Sequence, residues 1–217
     1  RAQGPQVPEP PSTPSTTSER AEVRKVLALL TLNNGFKGLA LGTCFPFFNV
    51  FFQEGLLASA ATIGVIFFCA QSAALASTMA LPAISRRYGK VRSLVPVRFL
   101  AALSLAWFGG IESLLLGAIL YVLFSSFENA NVPIEMALAT DFVDRRYWGR
   151  AQSLKVTSFQ LLSAAGSVWA GRTILEAGYV LTFRVGALSL LASVMVILLG
   201  FGWRERRDSL KVEEVKT

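Results

Sequence analysis

The chain has 217 residues, of which 53% are hydrophobic and 16% are charged, and its mean hydropathy is +0.49. Soluble domains carry about 25% charged residues, so this composition excludes an ordinary water-soluble enzyme and indicates a protein embedded in lipid. The net charge is +7, but the basic residues lie in short clusters between apolar runs, which is typical of membrane topology and not of nucleic-acid binding.

The residue types also restrict the chemistry. The sequence contains no His, which excludes Ser-His-Asp and Cys-His catalysis and any His-ligated metal or haem. Cys44 and Cys69 lie inside apolar runs, where small packing residues are more common than a disulfide or a metal site. We therefore expect no enzymatic activity, no cofactor, no metal and no nucleic-acid partner.

Polar segments flank the apolar part of the chain. Residues 1–23 are rich in Pro, Ser and Thr and have little to bury, which predicts a disordered cytoplasmic linker. The chain begins with Arg, so we expect either a fragment of a longer protein or a processed natural N-terminus. Residues 204–217 are predicted to form a cytoplasmic tail.

Between these segments the sequence predicts six membrane-spanning helices, because each apolar run approaches or exceeds the roughly 20 residues that cross a bilayer. Strands are excluded because the runs are too long for a barrel and an isolated strand leaves its backbone unpaired in lipid. The predicted helices are 24–52, 58–85, 93–108, 113–139, 151–171 and 179–203.

Charged residues in the connections predict the orientation. Basic clusters precede the first helix, fill the second and fourth connections and follow the last helix, whereas the alternate connections carry few. The second connection is assigned Arg86, Arg87, Lys90, Arg92 and Arg98, and the fourth Arg145, Arg146 and Arg150. The positive-inside rule then places both termini in the cytoplasm of a multi-pass protein in the plasma membrane or a bacterial inner membrane.

The second connection reads Pro82-Ala-Ile-Ser-Arg-Arg-Tyr-Gly-Lys-Val-Arg92. It resembles the loop signature of the major facilitator superfamily, G-x-x-x-D-R-x-G-R-[RK]. Arg87, Gly89 and Lys90 match the signature, Arg92 supplies a nearby basic group, and Pro82 and Arg86 replace its first Gly and its Asp. The fourth connection, with Asp141 and Asp144 before Arg145, is similar to the acidic stretch that enters the fifth helix of such halves.

The resemblance implies an all-α membrane protein in which six transmembrane helices form the 3+3 inverted-repeat half, here the C-terminal half, of a major facilitator fold. It implies that a second six-helix half, or a second copy, completes the transporter. Contacts of Asp141 and Asp144 with Arg87 or Lys90 are expected to close a cytoplasmic gate. A loop that serves only topology and headgroup binding is the alternative.

Polar residues inside the predicted first helix indicate a functional site. Lys37 lies twelve residues past Lys25, about 18 Å along a helix and close to mid-bilayer. Asn33 and Asn34 lie one turn below it. Charged residues at this depth are costly and usually line a cavity or contact a partner helix. Two interpretations stay open: a substrate or ion-coupling site, and a Lys paired to a carboxylate that holds the bundle together.

The predicted fourth helix carries a second polar stripe. Glu128, Asn131 and Glu135 are spaced to share one face, and Pro133 interrupts the backbone hydrogen bonds between them. Burial favours the protonated carboxyl, so Glu128 is a candidate for proton coupling; Glu135 is expected at the membrane interface. Gln71, in the second helix, is expected either to line a cavity or to bond between helices.

The resemblance implies a transporter of a small solute that works by alternating access, with protons as the coupling ion and efflux as the family-typical direction. The substrate or ion-coupling residues are predicted to be Asn33, Asn34, Lys37, Gln71, Glu128 and Asn131. The cytoplasmic gate loop is predicted to comprise Arg87, Gly89, Lys90, Arg92, Asp141 and Asp144. A non-transporting membrane scaffold or assembly protein is the alternative function.

Overall fold

The computed structural model describes the backbone of residues 17–143 and 145–214, and the side chains of residues 21–138, 140, 141, 143 and 145–200. Six long helices make up the described chain, which contains no strand. They are α1 (Thr17–Cys44), α2 (Ala60–Tyr88), α3 (Lys90–Phe108), α4 (Leu114–Phe142), α5 (Trp148–Ala177) and α6 (Tyr179–Glu214). The predicted all-α membrane fold is therefore confirmed, whereas the linker predicted at its N-terminal end lies largely outside the described residues.

The C-terminal end of α1 is irregular. A 3-10 turn (Phe45–Phe47), one α-helical turn (Phe48–Val50) and a π-helical turn (Phe51–Gly55) continue it. The 3-10 turn contains Pro46, which cannot donate a backbone hydrogen bond. This change of pitch turns Phe48 and Phe52 into the core. The ring of Phe48 lies 4.8 Å from the rings of Phe108 and Tyr121. A buried aromatic cluster thus fills this end of the bundle.

The packing of the six helices has an inverted two-fold pattern. The extensive contacts are α1 with α5, α2 with α4, α1 with α6, α3 with α4, and α3 with α6. Exchanging α1 for α4, α2 for α5 and α3 for α6 reproduces the same set of contacts. Two interhelical hydrogen bonds obey this exchange: Ser167 Oγ donates to the Gly42 carbonyl, and Ser77 Oγ donates to the Ser126 carbonyl. The chain is therefore built from two groups of three helices with opposite orientations.

Single glycines join the last two helices of each group. Gly89 separates α2 from α3 with φ 95°, and Gly178 separates α5 from α6 with φ 77°. A side chain is strained in this left-handed region, so glycine permits a reversal within one residue. The two turns lie at opposite ends of the bundle, as the inverted arrangement requires.

Close approach of α1 and α5 also depends on glycine. A Cβ atom added at Gly38 would lie 2.3 Å from the Phe159 carbonyl oxygen, and one added at Gly42 would lie 2.1 Å from that of Ser163. Neither distance is tolerable, so both positions require glycine for this packing.

Five helices of the described chain are long and apolar enough to cross a membrane: Ala21–Gly55, Ala60–Tyr88, Lys90–Phe108, Leu114–Leu138 and Tyr179–Gly200. Helix α5 is long enough, with 30 residues, but it is more polar because it carries Gln152, Lys155 and Gln160. It lies along α1, so its polar residues border the same interior as those of α1. The crossing of the membrane by α5 stays a prediction.

Candidate functional site

A buried cluster of charged side chains lies between α1 and α4. Lys37 Nζ lies 2.7 Å from Glu128 Oε1 and 3.1 Å from Glu135 Oε2. The side chains are 9%, 8% and 11% exposed, respectively. Since this burial removes most of the water that would otherwise hydrate the charges, the ion pairs replace hydration.

Arg98 of α3 completes the cluster. Its guanidinium contacts Glu135 Oε1 and is fully buried. It also donates hydrogen bonds to Asn33 Oδ1 at 3.0 Å and to Ser193 Oγ of α6 at 3.3 Å. We call Lys37, Arg98, Glu128 and Glu135 the charge cluster. Its two cations and two carboxylates balance, and with Asn33 and Ser193 it joins α1, α3, α4 and α6.

Helical spacing brings these groups together. Asn33 and Lys37 are four residues apart on α1 and therefore share a face, as do Glu128 and Glu135, which are seven apart on α4. Pro133 lies between the two carboxylates inside α4, where it leaves the Asn129 carbonyl without its helical donor. The polar stripes of two helices thus meet at one level of the bundle.

Two cavities border the charge cluster. One, of about 350 Å³, is lined by Asn34, Lys37, Leu41, Phe45, Gln71, Tyr121, Ser125, Glu128, Asn129, Val132 and Phe159. The other, of about 240 Å³, is lined by Asn34, Lys37, Val132, Glu135, Met136, Gln152, Lys155, Val156, Phe159 and Gln160. Asn34, Lys37, Val132 and Phe159 line both cavities, so Lys37 of the charge cluster lies on the wall that separates them.

The six predicted substrate or ion-coupling residues divide into two groups. Asn34, Lys37, Gln71 and Glu128 line the cavities. Asn33 and Asn131 line neither; Asn33 bonds Arg98, and Asn131 is fully buried and donates to the Phe127 carbonyl at 2.9 Å. Four of the six predicted residues thus border the cavities, and the roles assigned to all six stay predictions.

The locations predicted from the sequence for two residues are wrong. Arg98 was assigned to a basic connection, but it is fully buried within α3 and contacts Glu135. Glu135 was expected at the membrane interface, but its side chain is 11% exposed and contacts both cations of the cluster. The physical reason is the same for both: each lies within two or three turns of a helix end but on the face that packs against the other helices.

Lys155 was not recognised from the sequence. It is 9% exposed, lines the smaller cavity and has no acidic partner within 4 Å among the described residues. Glu128, which lines the larger cavity, has a buried Oε2 atom without a hydrogen-bond donor among the described residues. A buried polar atom left unpaired costs stability, so this wall of the cavity has unused capacity for a proton or a polar ligand.

The predicted gate loop lies at the end of the bundle where α2, α4 and α6 finish. Lys90 Nζ lies 2.5 Å from Asp141 Oδ2, and the two side chains are 35% and 51% exposed. The Arg87 guanidinium lies 5.7 Å from the centre of the Tyr88 ring, and Arg92 is exposed. Asp144 lies outside the described residues. Of the predicted contacts across this face, the structure brings together Lys90 and Asp141.

The described residues contain no group of three or more acidic or Cys side chains that could hold a metal ion. Comparison with protein families gives a match to the family described as the Major Facilitator Superfamily over residues 30–217. A search of curated proteins gives no match.

Proposed function

The chain belongs to the major facilitator superfamily, a family of membrane transporters of solutes, and from this premise we propose that it is the six-helix half of a proton-coupled secondary transporter of efflux type. The observation that carries the proposal is the charge cluster on the wall of two cavities. Such a cluster is costly in lipid and is expected where it serves transport.

Charge balance supports the coupling role of Glu128. Its Oε1 pairs with Lys37 while its Oε2 has no hydrogen-bond donor among the described residues, so the carboxylate has an atom free to accept a proton. Protonation would cancel one of the two negative charges and leave Lys37 with Glu135 as its acidic partner. The ammonium, with one of its two acidic partners neutralised, then favours a different set of contacts, which is how one proton would bias a two-state equilibrium.

Alternating access requires a second wall. We propose that a second six-helix unit, either an N-terminal half or a second copy, faces the two cavities, and that Lys90 and Asp141 contribute to a gate on the cytoplasmic side. Exposed ion pairs contribute about 0–1 kcal/mol, which suits a contact that must open in each cycle. Both termini would then lie in the cytoplasm, with the chain in a plasma or bacterial inner membrane.

The test separates coupling from solute binding in proteoliposomes. A panel of radiolabelled sugars, amino acids and organic acids, together with ethidium, is assayed for counterflow and for accumulation driven by a pH gradient. Glu128→Gln is expected to retain counterflow and to lose at least about tenfold in gradient-driven accumulation, because the removed carboxyl can no longer exchange a proton. Glu112→Gln, at an exposed position of the opposite connection, is the matched control. Unchanged gradient-driven accumulation in Glu128→Gln would contradict the coupling role.

A membrane scaffold is the second candidate, because every member of the charge cluster has a partner and the cluster joins four helices. Replacing Lys37 or Glu128 is expected to lower thermal stability on either function, so transport distinguishes the two. On the scaffold function, no member of the panel would be transported even when a second six-helix unit is present.

A further inference from the structure

An apolar groove with a basic end runs between α1 and α5, on a different face of both helices from the cavities at the charge cluster. It encloses about 470 Å³. Arg24 and Arg150 lie at its mouth, and Leu32, Phe36 and Leu162 line its far part. From this groove we infer that the protein binds one anionic phospholipid, with the phosphate at the two arginines and an acyl chain along the groove. The inference does not depend on the proposed transport function.

The length of the groove matches one leaflet of a bilayer. Arg24 and Phe36 are twelve residues apart on α1, and Arg150 and Leu162 are twelve apart on α5, which is about 18 Å along each helix. Half of a hydrocarbon core is about 15 Å thick. Both helices begin at the end that bears the basic connections, so the arginines reach headgroup depth while the apolar walls span the acyl chains of the same leaflet.

The interior of the groove offers nothing to a polar ligand. Its two hydroxyl groups donate to their own helices: Thr31 Oγ1 to the Leu27 carbonyl at 2.8 Å, and Ser158 Oγ to the Lys155 carbonyl at 3.0 Å. At its far end Gly35 has no side chain, and a Cβ atom there would lie 2.8 Å from Leu162 Cδ1. Satisfied hydroxyls and aliphatic walls suit a hydrocarbon chain, since nothing remains to be hydrogen-bonded.

The mouth of the groove supplies charge complementarity. Arg24 and Arg150 are exposed, and neither has a carboxylate within 4 Å in the described part of the chain. Guanidinium groups bind phosphate through paired, charge-assisted hydrogen bonds. Basic pockets between transmembrane helices are known binding sites for anionic headgroups. A lipid with a net negative charge is therefore favoured over a zwitterionic lipid, whose cationic group has no acidic partner there.

Native mass spectrometry of the purified chain tests the assignment. Phosphatidylglycerol and phosphatidylcholine with identical acyl chains are offered in equal amounts, and retained lipid is counted. We expect one phosphatidylglycerol to be retained in preference to phosphatidylcholine. Arg24→Gln with Arg150→Gln should lower this preference by about fivefold for each arginine. The matched control, Arg172→Gln with Arg184→Gln, removes the same charge from exposed positions near the opposite end and should leave the preference unchanged.

A second variant fills the groove and keeps both arginines. Ala28 is exposed on the groove wall, and Ala28→Trp should reduce the bound fraction of phosphatidylglycerol severalfold while the melting temperature of lipid-free protein stays close to wild type. If the control double variant (Arg172→Gln with Arg184→Gln) lost as much of the phosphatidylglycerol preference as Arg24→Gln with Arg150→Gln, the phosphate site would be overturned. Undiminished binding to Ala28→Trp would overturn the groove as the place of the acyl chain.

Discussion

Two ion pairs in this protein have similar distances but differ in their exposure to solvent. Lys37 and Glu128 lie 2.7 Å apart with side chains that are 9% and 8% exposed, whereas Lys90 and Asp141 lie 2.5 Å apart with side chains that are 35% and 51% exposed. Distance alone does not distinguish them. The buried pair has given up its hydration, so breaking it strands a charge, while water solvates either member of the exposed pair. Solvent access therefore determines which contact stabilises the fold and which one opens easily.

The largest effect is expected at Arg98, the most buried member of the charge cluster. Arg98→Met should lower the free energy of unfolding by about 3–5 kcal/mol, because it removes a cation from Glu135 and a donor from Asn33. The measurement is unfolding in mixed micelles, followed by the fluorescence of the four tryptophans. Arg92→Met, at an exposed position of the same helix, is the control and should change stability by less than about 0.5 kcal/mol.

The opposite result is expected when both members of that contact are replaced. Arg98→Met with Glu135→Gln should recover part of the loss, since the buried charges then balance again in the pair of Lys37 with Glu128. If the double variant were less stable than Arg98→Met, the contact between Arg98 and Glu135 would not be the source of the effect.

Arg98 also shows where sequence reasoning stopped short. It lies eight residues past Lys90, about 12 Å into the helix. Its distance along the sequence from the basic connection therefore groups it with the charges that determine topology. The signal was helical register, because Leu94, Ala101, Ala102 and Leu105 share a side of α3 with Arg98 and are all buried. Lys37 and Glu128 stand out in the sequence because each lies deep inside a predicted spanning helix, where no topological role explains a charge.

The fold was more predictable than the site. Apolar run length predicted six helices, and alternating loop charge predicted an even number of crossings. In the sequence, the inverted repeat is supported only by topology, although Gly89 and Gly178 lie at equivalent turns of the two groups of three helices. A single glycine carries little information until the structure shows its positive φ. Which carboxylate meets which cation depends on packing between helices distant in sequence, and no local pattern encodes that.

A double-mutant cycle at Lys37 and Glu128 is expected to show an intermediate effect. Each single replacement, Lys37→Met or Glu128→Gln, should destabilise the protein, and the interaction energy between them should be about 0.5–3 kcal/mol. In Glu128→Gln, Lys37 keeps its contact with Glu135 at 3.1 Å. The loss in the free energy of unfolding is therefore smaller than for a buried cation without any acidic partner. Unfolding in mixed micelles measures all four corners of the cycle. Strict additivity would mean that the contact contributes nothing to stability.

The smallest effect is expected at Lys90 and Asp141. Lys90→Gln and Asp141→Asn should each change the free energy of unfolding by about 0–1 kcal/mol, because water solvates the remaining partner. The coupling between them should fall as salt rises from about 0.1 M to 1 M, where the Debye length shortens from about 10 Å to 3 Å, whereas the coupling of Lys37 with Glu128 should not. A coupling between Lys90 and Asp141 that does not change with salt would show that this pair is shielded from water. It would contradict the difference in solvent access between the two ion pairs.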